Sequence, residues 1–174
     1  MLKMAVPVLF LSGVCGLVYG QSQQPASKSE PAAAPQTELI GSTSLEAVQK
    51  LLQGMGFECT RDHDVNGKLQ NYLVFRAEGY KIVAKVPSPG YIWLFNIFTD
   101  KLPLEAVNEW NRTNNFSHAY IDKDGDLYFE ADIIVHGGVT RENVEAQIKQ
   151  FRDAVAKWAR FVVDHVKADN SSRQ

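Results

Sequence analysis

Acidic side chains gather in two turns and are the residues most suited to binding a metal ion. Residues 62–67 read DHDVNG, with oxygen-bearing side chains at the first, third and fifth positions and glycine at the sixth, as in an EF-hand calcium loop. The twelfth position, where that loop needs a bidentate glutamate, holds Leu73. The second cluster, Asp122, Asp124 and Asp126, has its glycine at a different offset. Since Asn-Gly and Asp-Gly favour tight hairpins, both clusters are predicted to be solvated turns, and no metal site is predicted.

A hydrolytic site could be assembled from Glu130, Asp132 and His136. The two carboxylates would project in parallel from one face of a strand, about 7 Å apart by strand rise. Nothing beside them in the sequence would raise a carboxyl pKa, so a polar sheet face is the favoured interpretation. The sequence also has no zinc-ligand spacing, phosphate-binding loop or nucleophile elbow. We therefore predict no enzymatic activity, no catalytic or cofactor-binding residues and no cofactor.

Composition limits the class of protein that could carry these residues. The chain has 174 residues, of which 45% are hydrophobic and 22% charged, with a formal net charge of −2. This length suits one domain with a sizeable core, and the apolar fraction excludes a wholly disordered chain. With 18 basic and 20 acidic residues, the chain has no excess of positive charge, so no nucleic-acid partner is predicted. Two cysteines, Cys15 and Cys59, exclude a disulfide-rich scaffold.

Residues 1–20 have the pattern of a secretory signal peptide. Lys3 precedes an uncharged apolar run over residues 5–18, and the predicted cleavage site lies between Gly20 and Gln21. The run is shorter than the roughly 20 apolar residues that a permanent membrane helix needs. We therefore expect a periplasmic or secreted protein with no stable membrane span after cleavage. An uncleaved membrane anchor is the alternative.

The exported chain divides into a linker, one folded domain and a short tail. Residues 21–41 are rich in Pro, Ser, Gln and Ala, and such a segment buries too little apolar surface to offset its ordering entropy. It is predicted to be a disordered tether. Residues 42–169 are predicted to form the domain, and residues 170–174 a disordered tail.

Apolar periodicity predicts an α+β domain in which helices pack on an antiparallel sheet, in the order α-β-β-β-β-α-β-β-α. Hairpin turns between successive strands account for the antiparallel arrangement. The fourth strand is apolar on both faces, so it is predicted to be central and covered on each side. The predicted strands span residues 57–61, 69–77, 80–86, 91–98, 116–122 and 127–135.

Three helices are predicted from capping residues and apolar spacing. Thr43 with Glu46 forms a capping-box pattern, Pro103 fits a first helical turn, and Thr140 is the predicted cap of the last helix. The apolar seam of the last helix favours packing on its own sheet over a coiled-coil dimer. The residues predicted to face inward are Leu104, Val107 and Trp110 in the second helix, and Val144, Ile148, Phe151, Val155, Trp158 and Val162 in the third.

Four asparagines between residues 108 and 115 make this segment unusual for a helix end. Asparagine side chains compete for backbone hydrogen bonds and so weaken helix interiors. One interpretation is that they cap the helix and tie down the following loop, and the other is a polar recognition edge. The structural interpretation is favoured.

From Thr43 to about Val163 the chain resembles the YbjN family of bacterial proteins, which are described as sensory transduction regulators. The resemblance rests on VNEWN at residues 107–111, FSHAYID at 116–122, EAD at 130–132 and GGVT at 137–140. The resemblance implies a fold similar to that of type III secretion chaperones, which bind protein segments and often dimerise. It implies no catalytic residues.

The resulting hypothesis is a non-catalytic exported module, chaperone-like or a regulatory adaptor, whose partner is another protein. A homodimer is compatible with the same surfaces. The alternative is a small-ligand or envelope-stress sensor with a pocket between the sheet and the C-terminal helix. Two candidate partner-binding surfaces follow, a sheet face around Trp93 and Phe95 and an edge around Trp110, Asn111 and Phe116.

Overall fold

Three helices and eight strands follow one another along residues 38–172, the part of the chain that the computed structural model describes. The predicted signal peptide, the predicted tether up to residue 37 and the last two residues lie outside it. The helices are α1 (Leu45–Gly54), α2 (Leu104–Thr113) and α3 (Arg141–Ser172). The strands are β1 (Leu39–Ile40), β2 (Cys59–Thr60), β3 (Leu73–Ala77), β4 (Tyr80–Ser88), β5 (Tyr91–Phe98), β6 (His118–Ile121), β7 (Leu127–Ile134) and β8 (Val139–Thr140).

Six of the strands form one antiparallel sheet in the order β2-β3-β4-β5-β7-β6. The predicted α+β class and element order are confirmed. Two additional strands of two residues each, β1 and β8, pair with one another outside this sheet. Strand β5 lies between β4 and β7, which confirms its predicted central position.

The first two predicted strands are shorter in the structure than in the prediction. Pairing between β2 and β3 is limited to Cys59 with Phe75 and Thr60 with Val74. Between them the Asp64 carboxylate accepts hydrogen bonds from the backbone amides of residues 66 and 68, both at 2.9 Å. This local bonding competes with ladder pairing, so the loop keeps only one isolated bridge.

Helix starts were predicted to within one residue. Ser44, not Thr43, caps α1, because its hydroxyl accepts the Ala47 amide at 3.2 Å. The Thr43 amide instead donates to the Pro89 carbonyl. The predicted cap of α3 is confirmed, since Thr140 Oγ1 accepts the Asn143 amide at 3.1 Å.

All three helices bury their apolar residues against the same side of the sheet. The six predicted seam residues of α3 are all buried in one core, which confirms that the helix packs on its own sheet. In α2 the prediction holds for Val107 and Trp110 but is wrong for Leu104, which is 56% exposed. Ala106 is buried instead, because the buried stripe of this short helix begins two residues after Leu104 and consists of Ala106, Val107 and Trp110.

Strand β5 shows that the sheet has one covered face, not two. Ile92 and Leu94 are buried in the core, whereas Trp93 is only half-buried and Ile97 is 42% exposed. The prediction that both faces of β5 are covered is therefore wrong. The strand reads as apolar throughout because aromatic residues occupy the positions that point away from the helices.

Two predicted boundaries shift outward at the ends of the domain. Leu39 and Ile40, placed at the end of the predicted tether, pair with Thr140 and Val139. Helix α3 continues through Ser172 and so includes the first three residues of the predicted tail. Among residues 38–172, no helix combines the length and apolar character needed to cross a membrane.

Candidate functional site

The face of the six-stranded sheet that points away from the helices carries a dense set of aromatic and charged residues. Their placement follows from strand alternation and register, since cross-strand partners project to the same side. We call this surface the open face. Its members are Val74, Arg76, Lys81, Val83, Lys85, Tyr91, Trp93, Phe95, Ile97, His118, Tyr120, Tyr128, Glu130, Asp132 and Ile134.

An aromatic stripe crosses the open face from β5 through β7 to β6. The ring centroids of Trp93 and Phe95 lie 4.5 Å apart, those of Phe95 and Tyr128 6.0 Å, and those of Tyr128 and Tyr120 5.1 Å. These separations fall in the range at which aromatic rings attract one another. Phe95 is buried by these neighbours, yet it does not belong to the helix-side core.

Lys85 of β4 places its ammonium group over this stripe. Its Nζ lies 5.2 Å from the ring centroid of Phe95, 5.3 Å from that of Trp93 and 5.7 Å from that of Tyr72. Each contact lies within the distance of a cation–π interaction. The lysine therefore shields the rings while keeping a positive charge at the surface.

Glu130 of β7 is the polar centre of the open face. Its Oε2 accepts a hydrogen bond from Trp93 Nε1 at 3.1 Å, and its Oε1 lies 2.9 Å from His118 Nε2. Only 13% of this side chain is exposed. Burial, together with the charge and hydrogen bonding of Glu130, raises the pKa of Tyr120 to about 12. The carboxylate of β7 thus fixes side chains from the two neighbouring strands, β5 and β6.

A second tyrosine is held in the same way at the other end of the stripe. Burial, followed by a hydrogen bond to the Asp132 carboxylate and the charges of Asp132 and Glu130, raises the pKa of Tyr91 to about 12. Both phenols therefore stay neutral throughout the physiological pH range.

The charges on the open face are separated by sign. Arg76, Lys81 and Lys85 lie on β3 and β4, whereas Glu130 and Asp132 lie on β7, and the β5 part of the aromatic stripe lies between the two groups. Such an arrangement favours stacking, apolar contact and oriented charge pairing with a partner.

The five predicted partner-binding residues fall on two different sides of the molecule. Trp93 and Phe95 lie side by side on the open face. Trp110 is only 4% exposed and packs among Phe129, Trp158 and Phe161 on the helix side. The list is completed by Asn111 and Phe116, which lie at the end of α2 and in the loop before β6.

The asparagines of this segment form the bonds expected of a structural role. The Asn111 side-chain amide both donates to the Ala119 carbonyl and accepts the Ala119 amide, each at 2.9 Å. Asn114 donates to the Trp110 carbonyl from its backbone at 2.9 Å and from its side chain at 3.1 Å. Strand β6 lies at the edge of the sheet. The two hydrogen bonds from Asn111 therefore pair the outward-facing backbone amide and carbonyl of Ala119.

The hydrolytic trio of Glu130, Asp132 and His136 is not joined in the part of the chain that the structure describes. No hydrogen bond or ion pair among residues 38–167 connects His136 to either carboxylate, and Glu130 is engaged by Trp93 and His118 instead. His136 lies past the end of β7, where its backbone amide donates to the Gly90 carbonyl at 3.3 Å.

The acidic clusters use their carboxylates to close turns. Asp64 and Asp122 each accept two backbone amides of their own turn at 2.9 Å. Within the described residues, no group of three or more His, Cys, Asp and Glu side chains is arranged to hold a metal ion.

The family relationship is decided by a match over residues 44–163 to the YbjN family, described as "Putative bacterial sensory transduction regulator". The chain belongs to the YbjN family. This confirms the predicted resemblance and places the protein in a family of regulators that is not described as enzymatic.

A solved structure agrees with the YbjN assignment. The crystal structure of E. coli YbjN, described as "a putative transcription regulator", superposes with a TM-score of 0.59 at 12% sequence identity. The match covers 76% of this chain and 97% of the E. coli chain. At this identity the similarity establishes the shared YbjN fold and no more. No curated protein sequence matches this chain.

Sequence reasoning missed several members of the open face of this YbjN domain, above all Lys85 and His118. One signal was present for His118. The Asp122–Asp126 turn sets the hairpin register of β6 and β7, and counting outward from it puts His118 opposite Glu130. Lys85 gave no such signal, because its position over the rings depends on the register irregularity near the end of β4.

Proposed function

We propose that the protein is an exported, non-catalytic regulatory adaptor that binds another protein through the open face. The observation that carries the proposal is a sheet with all of its described helices on one side and a continuous aromatic stripe on the other. Trp93, Tyr120 and Tyr128 of this stripe remain partly exposed, and exposed apolar patches mark interaction sites in soluble proteins. Aromatic residues with a nearby polar group also dominate the energetics of protein interfaces.

The charge pattern defines the partner's chemistry. A matching protein surface would present apolar or aromatic side chains to Trp93 and Tyr128, which are partly exposed. It would place an acidic group near Lys85 and a basic group near Asp132, since opposite charges favour and like charges oppose association.

Contact through side chains is favoured over strand addition. An exposed sheet edge can recruit a partner strand through its unpaired backbone groups. At β6 the Asn111 amide already satisfies both outward groups of Ala119. At the opposite edge β2 offers only two residues. The open face therefore offers a larger contact surface than either edge.

Export is part of the proposal and rests on the sequence of residues 1–20, with its basic start, apolar run and cleavage pattern before Gln21. Fractionation of native cells tests it directly. Mature protein beginning at Gln21 in the periplasm or medium is the expected result, and an unprocessed cytoplasmic chain would contradict export.

Site-specific photo-crosslinking tests the binding proposal. A photoreactive amino acid replaces Ile97, which is exposed on the open face near the end of β5, or Leu104, which is similarly exposed on the helix side. We expect a protein adduct from position 97 and none from position 104. The adduct should be lost when Trp93→Ala is added and retained when the distant Val65→Ala is added.

The adduct must then be reproduced with purified components. Charge reversal by Lys85→Glu should weaken binding of the purified partner, and reversal of an acidic partner residue should restore it. An adduct with twice the mass of the chain would show that the open face contacts a second copy of this chain, and it would contradict the proposed heterologous partner. Labelling at position 104 but not at 97 would overturn the open face as the binding site.

A further inference from the structure

The two acidic turns, one between β2 and β3 and the other between β6 and β7, share one hydrogen-bond pattern. In the first, the Asp64 carboxylate accepts the backbone amides of residues 66 and 68, and the Asp64 carbonyl accepts the Gly67 amide, all at 2.9 Å. In the second, the Asp122 carboxylate accepts the amides of residues 124 and 126 at 2.9 Å, and its carbonyl accepts the Gly125 amide at 3.0 Å. The turns therefore differ in side chains but not in backbone bonding.

The first turn places an asparagine directly before its glycine. Asn66 is the only asparagine of the chain in this position. In such a pair the glycine amide nitrogen can attack the asparagine side-chain carbonyl carbon and close a five-membered succinimide ring. Glycine shields this nitrogen least, because it has no Cβ. Asn66 is exposed, and beyond the adjacent residues no atom lies within 4 Å of the place where a Cβ of Gly67 would be. The attack is therefore sterically unobstructed.

The second turn has the same geometry but a less reactive residue. Asp124 stands before Gly125, and an ionised carboxylate is a much poorer electrophile than an amide. The equivalence of the two turns therefore isolates the side-chain amide of Asn66 as the reactive group.

Hydrogen bonds within the first turn oppose this reaction. The Gly67 amide must lose its proton and turn towards the Asn66 side chain, but it donates to the Asp64 carbonyl, and the Asp64 carboxylate holds the amides on both sides of it. The reaction therefore requires the turn to open. Opening costs little in an exposed loop that has few buried contacts and one isolated bridge, between His63 and Leu69.

We propose that Asn66 is a site of spontaneous deamidation and that Asp64 sets its rate. In the open turn the Gly67 nitrogen bonds to the Asn66 side-chain carbonyl carbon, the bond from that carbon to the side-chain nitrogen breaks, and ammonia leaves. One water molecule then hydrolyses the succinimide at either carbonyl, which gives aspartate or isoaspartate. This inference is independent of the proposed binding function, because neither residue belongs to the open face.

The two products have different structural consequences. Aspartate at position 66 reproduces the second turn, in which Asp124 occupies the equivalent position with the same backbone bonds. Isoaspartate adds a methylene group to the backbone before Gly67 and so disrupts the spacing on which those bonds depend. Either product makes the formal net charge one unit more negative than −2.

Peptide mapping of the incubated mature protein tests the site. Trypsin releases residues 62–68, which contain Asn66, separately from residues 69–76, which contain Asn71. We expect the first peptide to gain the mass of deamidation faster than the second, with aspartate and isoaspartate forms resolved by chromatography. The rate should rise from neutral to mildly alkaline pH, since the attacking amide must lose its proton. Conversion of Asn66 no faster than that of Asn71 would overturn the proposal.

Variants of the two turns test the role of Asp64. Asp64→Ala removes the acceptor of two backbone amides and should speed conversion of Asn66 severalfold. Asp64→Asn keeps a side-chain oxygen and should stay closer to the parent rate. Asp122→Ala removes the same contacts from the other turn and is the matched control, in which the Asn66 rate should not change. The Tm of each variant verifies that folded proteins are compared. An unchanged rate in Asp64→Ala, or equal acceleration in Asp122→Ala, would contradict the control by Asp64.

Discussion

The two faces of the sheet both carry aromatic side chains, but they hold them differently. On the helix side, Phe129 stacks on Trp158 at 5.5 Å and meets Trp110 edge-on at 5.7 Å, and all three are buried in the common core. On the open face, Trp93 remains half-buried and is fixed by Glu130 and Lys85 rather than by helices.

This difference in burial indicates that aromatic residues contribute differently to stability on the two faces of the sheet. Aromatic rings surrounded by other apolar groups contribute their full buried area to folding. Rings that keep one side exposed contribute less to folding and retain area that a partner can cover. The helix-side rings thus contribute to the core of the fold, whereas recognition is the role that we propose for the open-face rings.

The largest expected effect is the loss of a helix-side ring. Phe129→Ala should lower the free energy of unfolding by about 3–5 kcal/mol, because it leaves a cavity among Trp110, Phe151 and Trp158. Trp93→Ala should cost far less, since that residue is only partly buried and no helix packs on it. Denaturant unfolding of both variants measures the contrast, and equal losses would remove the distinction between the two faces.

An intermediate loss of stability is expected at the contact between the end of α2 and the edge strand β6. Asn111→Ala removes two hydrogen bonds to Ala119 and should cost about 1–2 kcal/mol. It also exposes the backbone of edge strand β6, so self-association should increase. Asn108→Ala, at an exposed position of the same helix, is the control for analytical ultracentrifugation. If both variants keep the association state of the parent protein, the edge-protecting role of Asn111 is incorrect.

The smallest effect is a pH dependence confined to the open face. Tyr91 and Tyr120 have pKa values raised to about 12 in the folded protein, above the ordinary phenol value near 10. Their contribution to stability is therefore complete below about pH 10 and is lost as the pH rises towards 12.

Ultraviolet absorbance of tyrosinate gives the corresponding readout. The native protein should show a late-titrating phenol component that is reduced in Tyr120→Phe and again in the double variant with Tyr91→Phe. The same proteins in denaturant should titrate near the ordinary value. A single native transition near pH 10, unaffected by these substitutions, would contradict the described contacts.

The comparison also explains what sequence reasoning could reach. The seam of α3 is a regular apolar repeat, and its buried side was predicted residue by residue. The same reasoning wrongly predicted that both faces of strand β5 are covered, because Trp93 and Phe95 have the character of core residues whether or not a helix covers them. Only the arrangement of all three helices on one side decides which apolar face stays open.

The candidate site was predicted in part for the same reason. Trp93 and Phe95 were named as aromatic residues of one predicted strand, whereas Lys85 and His118 reach the site only through the register of neighbouring strands. Trp110 was predicted both to face inward and to belong to a candidate binding edge. It lies in the core, within the aromatic cluster that forms where α2 and α3 meet.

The central claim is that the open face binds the partner while the helix side maintains the fold. Calorimetric titration of the purified crosslinked partner with Trp93→Ala tests it most directly, with Leu104→Ala as the matched variant on the helix side. We expect Trp93→Ala to weaken binding by roughly tenfold or more, the effect of losing an interface anchor, with an unchanged fold. Leu104→Ala should bind as the parent does. Unchanged affinity in Trp93→Ala would contradict the account.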